Sequence, residues 1–250
     1  MALTLRRKAK PSPDAMTLGE HLAELRKRII VAVTAFVIAM IVVFIVYSHV
    51  LHFLQAPYCK VVPKGQCVLY VTSPLDPLAL RLHLSAYGGL VLAGPVILWE
   101  FWRFVTPGLK SNEKRYAIPF VAASIVLFLG GACLAYFTFP HALRWLSDIG
   151  GPTLKQIYNP NSYLGLIVAL MFVFGVTFEF PVVLVSLELV GVVTPKRLSS
   201  WRRWAIVAIT IVAAVITPSS DPFSMLALAI PLYVFYEISI VLGKILRRDR

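Results

Sequence analysis

The stretch IIVAVTAFVIAMIVVFIVY, residues 29–47, contains no charge and no proline over 19 residues. A helix needs about 20 mostly apolar residues to cross the hydrocarbon core of a bilayer. This stretch therefore predicts a membrane-spanning helix. The rest of the chain has the same character, because 58% of its 250 residues are hydrophobic, only 14% are charged, and the mean hydropathy is +0.78. That composition excludes a soluble globular protein and a disordered chain.

Five further apolar runs follow the first. The sequence predicts an all-α integral membrane protein with six transmembrane helices, forming one membrane domain over residues 1–250. The approximate spans are 29–47, 84–104, 116–139, 163–190, 204–217 and 224–243. The fifth is the shortest, since 14 residues of helix extend only about 21 Å against a core of about 30 Å. Residues 1–16 are expected to form a flexible basic tail.

The basic residues predict the orientation of these spans. Of the 24 Lys and Arg residues, 19 fall on one side of the six spans and five on the other. Cytoplasmic loops carry an excess of Lys and Arg, so both termini are expected in the cytoplasm and the chain in the cell membrane. Topology thus accounts for the net charge of +12, and no nucleic-acid partner is expected.

Prolines lie in or beside several spans, at positions 95, 119, 140, 181 and 231. A proline inside a helix removes a backbone hydrogen bond and bends the helix. Kinked helices do not pack as a regular cylinder. The sequence therefore predicts a concave, cupped assembly whose hollow face can receive another helix.

Catalytic and metal-binding motifs are absent from the sequence, which has no glycine-rich phosphate loop, no H-E-x-x-H and no G-x-S-x-G. We expect no enzyme activity, no cofactor and no metal. Cys59 and Cys67 lie close together in a predicted outer segment, where they form either a disulfide or two free thiols. Cys133 lies inside the third span, where packing is the simpler interpretation.

Five carboxylates fall near the predicted cytoplasmic ends of the spans: Glu20, Glu24, Glu100, Glu113 and Glu188. Glu20 and Glu24 share one helix face, and Glu24 and Arg28 have the i,i+4 spacing of an ion pair. Two interpretations stay open. The acids balance the neighbouring cations, or they bind a cationic ligand, since carboxylates bind guanidinium groups bidentately.

Two other acids lie in less usual places. Glu179 falls inside the fourth span, where a charge costs at least about 2.5–3.5 kcal/mol, so it is expected to face the protein interior. Three roles stay open for Glu179. It contacts a partner, it makes a structural hydrogen bond to a neighbouring helix, or it carries protons in a proton-coupled secondary transporter, which is a different class of protein. Transporters of that kind have related halves, and no clear internal symmetry is present. Asp221 lies in the outer turn before the sixth span, either as a helix cap or in a functional role.

Several sequence strings together resemble the TatC family, the multi-span subunit of the twin-arginine protein translocase. They are HLAELRKR at 21–28, GPVILWEFWRFVTPGL at 94–109, NEKR at 112–115, FGVTFEFP at 174–181 and TPSSDPF at 217–223. No single string decides the resemblance, but their combination and order are specific. In one place the chain departs from the family, since Met225 stands where many members have a polar glutamine shortly after the outer-turn acid.

The resemblance implies a receptor for the twin-arginine signal peptides of folded precursor proteins. It also implies a multimeric complex with single-span subunits of the TatA and TatB type, driven by the proton-motive force within membrane lipids. By position, the resemblance assigns signal recognition to four residues: Glu24, Arg26, Phe104 and Glu113. It identifies Glu179 as the intramembrane acid of the fourth span, Asp221 as the outer-turn acid linked to translocation, and Pro57 as the proline of the first outer loop.

Overall fold

The computed structural model describes residues 18–62, 67–105, 117–151, 157–219 and 221–248. Over these residues the secondary structure is helical, with no strand. In chain order the helices are α1 (Leu18–Ile45), α2 (Tyr47–Cys59), α3 (Asp76–Val105), α4 (Ala117–Ile149), α5 (Pro160–Thr177), α6 (Phe180–Val190), α7 (Pro195–Ser200), α8 (Arg202–Ile216) and α9 (Pro222–Arg248).

The predicted all-α membrane fold is confirmed. Five segments are long and apolar enough to cross a bilayer: Gly19–Ile45, Asp76–Phe104, Ile118–Ile149, Pro160–Val190 and Pro222–Ile245. α8 corresponds to the predicted fifth span. Its 15 residues extend about 22 Å and pack against α9.

The helices extend beyond the predicted apolar runs. α3 begins at Asp76 rather than at 84, and α4 continues through Pro140 to Ile149 rather than ending at 139. In α4 the residues around the proline are held by packing, since Phe139 and Ala142 are 0% exposed. Burial on both sides of Pro140 thus stabilises a helix that has lost one backbone hydrogen bond.

The fourth span is two helices rather than the single helix predicted for 163–190. α5 ends at Thr177, α6 begins at Phe180, and Glu179 lies in the break between them. Pro181 is the second residue of α6, where its missing N–H needs no partner within the helix. The proline therefore begins a new helix beside the carboxyl group, and Glu179 lies within the apolar segment Pro160–Val190.

The core and the periphery of the bundle differ in burial. α4 packs on α5 around Phe139, Ile167 and Phe174, each fully buried. α1 packs mainly against α3, and only 11% of its most apolar stretch is buried inside the protein. The contact between α1 and α3 is close because a glycine, Gly89, lies against the backbone of Met40. This contact fixes the relative position of the polar residues at one end of the two helices.

Candidate functional site

Two helices contribute the polar residues of the first candidate site, at the N-terminal end of α1 and the C-terminal end of α3. His21, Glu24 and Arg28 follow one face of α1 with spacings of three and four residues. Glu100 and Phe104 are four residues apart on α3 and share a face in the same way. The close packing of α1 on α3 brings these two rows together.

A three-residue ion network connects the two rows. Arg28 Nη2 donates to Glu24 Oε1 at 3.0 Å, and Arg28 Nη1 donates to Glu100 Oε2 at 2.8 Å. The side chains of Glu24, Arg28 and Glu100 are 18%, 17% and 10% exposed, respectively. The i,i+4 ion pair predicted from sequence is therefore present, and its arginine is shared with a second carboxylate from α3.

An aromatic contact lies next to this network. The rings of His21 and Phe104 stack with centroids 4.4 Å apart and planes 22° apart. Because His21 lies one turn before Glu24 and Phe104 one turn after Glu100, the stacked rings flank both acids. We call His21, Glu24, Arg28, Glu100 and Phe104 the inner patch.

The remaining two residues assigned to signal recognition differ from these. Arg26 is exposed and lies two positions from Glu24, so it projects from another face of α1. Glu113 lies outside the described residues. Of the four residues named from the family resemblance, the structure thus brings Glu24 and Phe104 into one patch.

Glu179 has a polar neighbour at lipid depth. The Ser124 hydroxyl of α4 makes a hydrogen bond with the Glu179 carboxyl group, and the same hydroxyl accepts a hydrogen bond from Trp102 Nε1 at 2.7 Å. Glu179 Oε1 is enclosed and has no hydrogen-bond partner among the described residues. A three-residue relay from α3 through α4 therefore orients the carboxyl group and leaves one acceptor unused.

Glu179 lines an open groove of about 630 Å³. The groove is formed by α3, the α5–α6 break, α8 and α9, and its walls are almost entirely apolar. Representative lining residues are Phe101, Phe180, Val212 and Leu232. A hollow, lipid-depth surface with a single carboxyl group has the shape and chemistry to accept an apolar helix carrying one polar group.

Asp221 is 1% exposed and makes the contacts of a helix cap. Its Oδ1 accepts from the backbone N–H of Ser224 at 2.7 Å, and its Oδ2 accepts from the hydroxyl of Ser219. These bonds satisfy a donor in the first turn of α9 and hold the turn between α8 and α9. The capping role considered from sequence is therefore present in the structure.

The cysteine pair lies at the end of the bundle opposite the inner patch. Cys59 and Cys67 form a disulfide that joins the end of α2 to the segment that follows it, with Cα atoms 5.0 Å apart. Gln55 Nε2 donates to the carbonyl oxygen of Cys67 at 3.3 Å, which adds a second connection. Pro57 is buried inside α2. The disulfide and the hydrogen bond from Gln55 thus tie the residues around Cys67 to α2.

Sequence reasoning missed two features. It placed Glu188 among the cytoplasm-facing acids, whereas its side chain is 0% exposed and lies in a niche of α9 opened by Gly243. It also missed Glu100 as the second partner of Arg28. The available signal for the niche was a glycine in an otherwise bulky span, which indicates close approach of another element.

Comparison with known proteins decides the family. The family described as Sec-independent protein translocase protein (TatC) matches residues 20–231 of this chain. The chain belongs to the TatC family. It is 39% identical over 252 residues to a TatC protein of Frankia casuarinae, covering 97% of this chain and 69% of that one. It is 40% identical over 238 residues to TatC of Aquifex aeolicus, covering 94% and 98% respectively.

The fold agrees with a solved TatC structure. A crystal structure described as the twin-arginine translocase receptor TatC superposes with a TM-score of 0.74 at 40% identity, covering 90% of this chain and 99% of that one. As a TatC family member the chain is a multi-pass membrane component of the Sec-independent protein translocase and not an enzyme. The transporter alternative is thereby set aside.

Proposed function

We propose that this TatC protein is the signal-peptide receptor of its translocase and that the inner patch binds the paired arginines of the signal. The observation that carries the proposal is the pair of carboxylates from α1 and α3 beside a stacked aromatic pair. Two acids on two different helices, fixed relative to each other, select geometry as well as charge. A diffuse negative surface would select charge alone.

The chemistry of the ligand matches this arrangement. Guanidinium is planar, presents five N–H donors in a fixed fork and stacks on aromatic rings, whereas an ammonium group is a compact point charge. Carboxylates accept two parallel hydrogen bonds from the fork, and the His21–Phe104 stack offers a flat surface beside them. Arg-Arg is therefore expected to bind more tightly than Lys-Lys. Glu113 supplies a further carboxylate by family resemblance.

We propose that the protein lies in the cell membrane. The inner patch and both termini face the cytoplasm in this orientation. Support comes from the distribution of 19 Lys and Arg residues on that side and five on the other. A precursor synthesised in the cytoplasm then meets the patch first. The proton-motive force drives the later export of the folded cargo.

The apolar groove is the proposed seat of a helix, either the apolar part of the signal or a single-span partner subunit. Glu179 offers the polar contact within the groove, and the relay through Ser124 and Trp102 fixes its direction. Asp221 acts by holding the α8–α9 turn that forms the outer end of this surface. Repeated units of this kind form the multimeric translocase.

Binding of synthetic signal peptides to the purified full-length protein tests the proposal. One peptide carries Arg-Arg before an apolar segment, and its control carries Lys-Lys. We expect Arg-Arg to bind at least about tenfold more tightly, since one charge-assisted hydrogen bond is worth that ratio. Glu24→Gln and Glu113→Ala should each remove the preference, whereas Glu237→Gln, which breaks an ion pair with Arg202 elsewhere, should keep it. Equal binding of both peptides by the unaltered protein would overturn the proposal.

A further inference from the structure

Arg28 already presents to Glu24 the chemical group that a signal arginine would present. Its Nη2 donates to Glu24 Oε1 at 3.0 Å, so one carboxylate oxygen of the proposed receptor site is occupied by a guanidinium of the protein itself. A ligand arginine that uses both oxygens of Glu24 must first displace that contact. This raises the question of where Arg28 goes when it is displaced.

Glu100 supplies the answer. It contacts the other terminal nitrogen of Arg28 at 2.8 Å, and it lies on α3 rather than on α1. When the bond to Glu24 breaks, Arg28 keeps a partner of opposite charge without changing helix or rotating far. A partly buried cation that lost its last carboxylate would be strongly unfavourable. Glu100 therefore lowers the cost of freeing Glu24.

The network has unused hydrogen-bonding capacity for this exchange. Among the described residues, Glu24 Oε2 and Arg28 Nε are enclosed and have no hydrogen-bond partner. Glu24 thus holds only one of the donors that a carboxylate can accept, and the arrangement with Arg28 is not bidentate. Once Arg28 has left and Glu24 is accessible, a guanidinium fork from a ligand can satisfy both oxygens, which gives it an advantage over Arg28 and over lysine.

We propose that Arg28 occupies the guanidinium position of Glu24 in the unliganded protein and that Glu100 retains Arg28 when a signal arginine takes that position. The inference rests on the proposed receptor function. Arg28 acts as an internal competitor that weak cationic ligands fail to displace. Glu100 lowers the free energy that is needed to move Arg28 away from Glu24. Selectivity for arginine then comes partly from the protein's own arginine.

The test uses the full-length purified protein, the Arg-Arg peptide and the Lys-Lys peptide, with four variants: Glu100→Gln, Arg28→Gln, the double variant and Glu237→Gln. In Glu100→Gln, Arg28 loses its second partner and stays on Glu24, so affinity for Arg-Arg should fall about tenfold. In the double variant the competitor is gone, so affinity should recover most of that loss. Arg28→Gln alone should bind Arg-Arg at least as tightly as the parent.

A purely structural role gives the opposite pattern. If the Arg28–Glu100 pair only positions Glu24, Arg28→Gln should lose affinity as Glu100→Gln does, and the double variant should not recover. That result, or an unchanged affinity in Glu100→Gln, would overturn the inference. Glu237→Gln breaks an ion pair of the same length and should change neither peptide's affinity. If Glu100→Gln fails to accumulate, the affinity of Arg28→Gln for the Arg-Arg peptide decides. An affinity at least equal to that of the parent supports the inference, and a lower affinity overturns it.

Failure of this inference is distinguishable from failure of the receptor proposal. A parent protein that does not distinguish Arg-Arg from Lys-Lys contradicts the receptor function itself. A parent that distinguishes them, together with variants that follow the structural pattern, removes only the exchange. The two proposals are therefore tested by different comparisons within one data set.

Discussion

Gly89 of α3 lies directly against the backbone of Met40 in α1. A Cβ atom at Gly89 would come within 2.7 Å of Met40 Cα and 2.8 Å of Met40 N. Because the obstructing atoms belong to the backbone, the two helices have to move apart to admit even a methyl group. The close approach of α1 and α3 at this point therefore requires a glycine at position 89.

Gly89→Ala is expected to destabilise the protein by about 1–3 kcal/mol, as overpacking of a tight contact does. The same change should weaken Arg-Arg peptide binding, because moving α1 away from α3 displaces Glu24 from its position beside Phe104. Thermal unfolding in detergent and peptide titration measure the two effects. Gly130→Ala is the matched control, since a Cβ there meets nothing within 4 Å. Equal melting temperatures for the two variants would contradict this account of the helix contact.

Glu179→Gln is expected to retain most export activity, because an amide also accepts a hydrogen bond from the Ser124 hydroxyl at the same place. Glu179→Leu should abolish export, since it removes the carboxyl group from the groove. Export of a folded reporter with an Arg-Arg signal measures both at equal membrane levels. Complete loss in Glu179→Gln would instead indicate that ionisation or proton exchange at this position is required.

Loss of the disulfide between Cys59 and Cys67 is expected to lower the stability of the protein. The bond closes a loop with a sequence separation of 8, which on loop-entropy grounds is worth about 2–3 kcal/mol. Cys59→Ser with Cys67→Ser, or treatment with a thiol reductant, should lower the melting temperature of the purified protein. Cys133→Ser serves as the control, because Cys133 forms no disulfide. A reductant that lowers the melting temperature of the double variant as well would show that another process is responsible.

Gly243→Ala is expected to destabilise the α6–α9 contact, because the added Cβ would overlap the carboxyl group of Glu188. The cost should be about 1–3 kcal/mol. Combining it with Glu188→Ala removes the overlapping group, so the double variant should be less destabilised than the sum of the two single variants. Thermal unfolding of all four proteins completes the cycle. Strict additivity would show that the two residues do not share a space.

The crossings were predictable from sequence because the requirement is local: a bilayer demands about 20 apolar residues in succession. A bend in the fourth span was indicated by Pro181, but the division of that span into two helices was not predicted. The orientation is predicted from equally local signals, since each Lys or Arg contributes beside its own span, and it stays a prediction. These parts of the fold need no knowledge of which helices touch.

The contacts between helices were not predictable in this way. Arg28 and Glu100 are 72 positions apart, and nothing in either neighbourhood specifies the other. Glu188 was assigned to the surface because it lies near the end of an apolar run, yet the niche that buries it belongs to α9. Pairing information of this kind resides in the packing of whole helices, which one sequence does not reveal.

The sparse attachment of α1 has a mechanical consequence. Only 11% of the residues in its most apolar stretch are buried inside the protein, and its contacts are mainly with α3. On the proposed receptor function, tension on a signal peptide bound at Glu24 would pass mainly to α3, through the contact at which Gly89 lies against the Met40 backbone. The α1–α3 contact is therefore the main physical connection between the N-terminal helix and the rest of the protein.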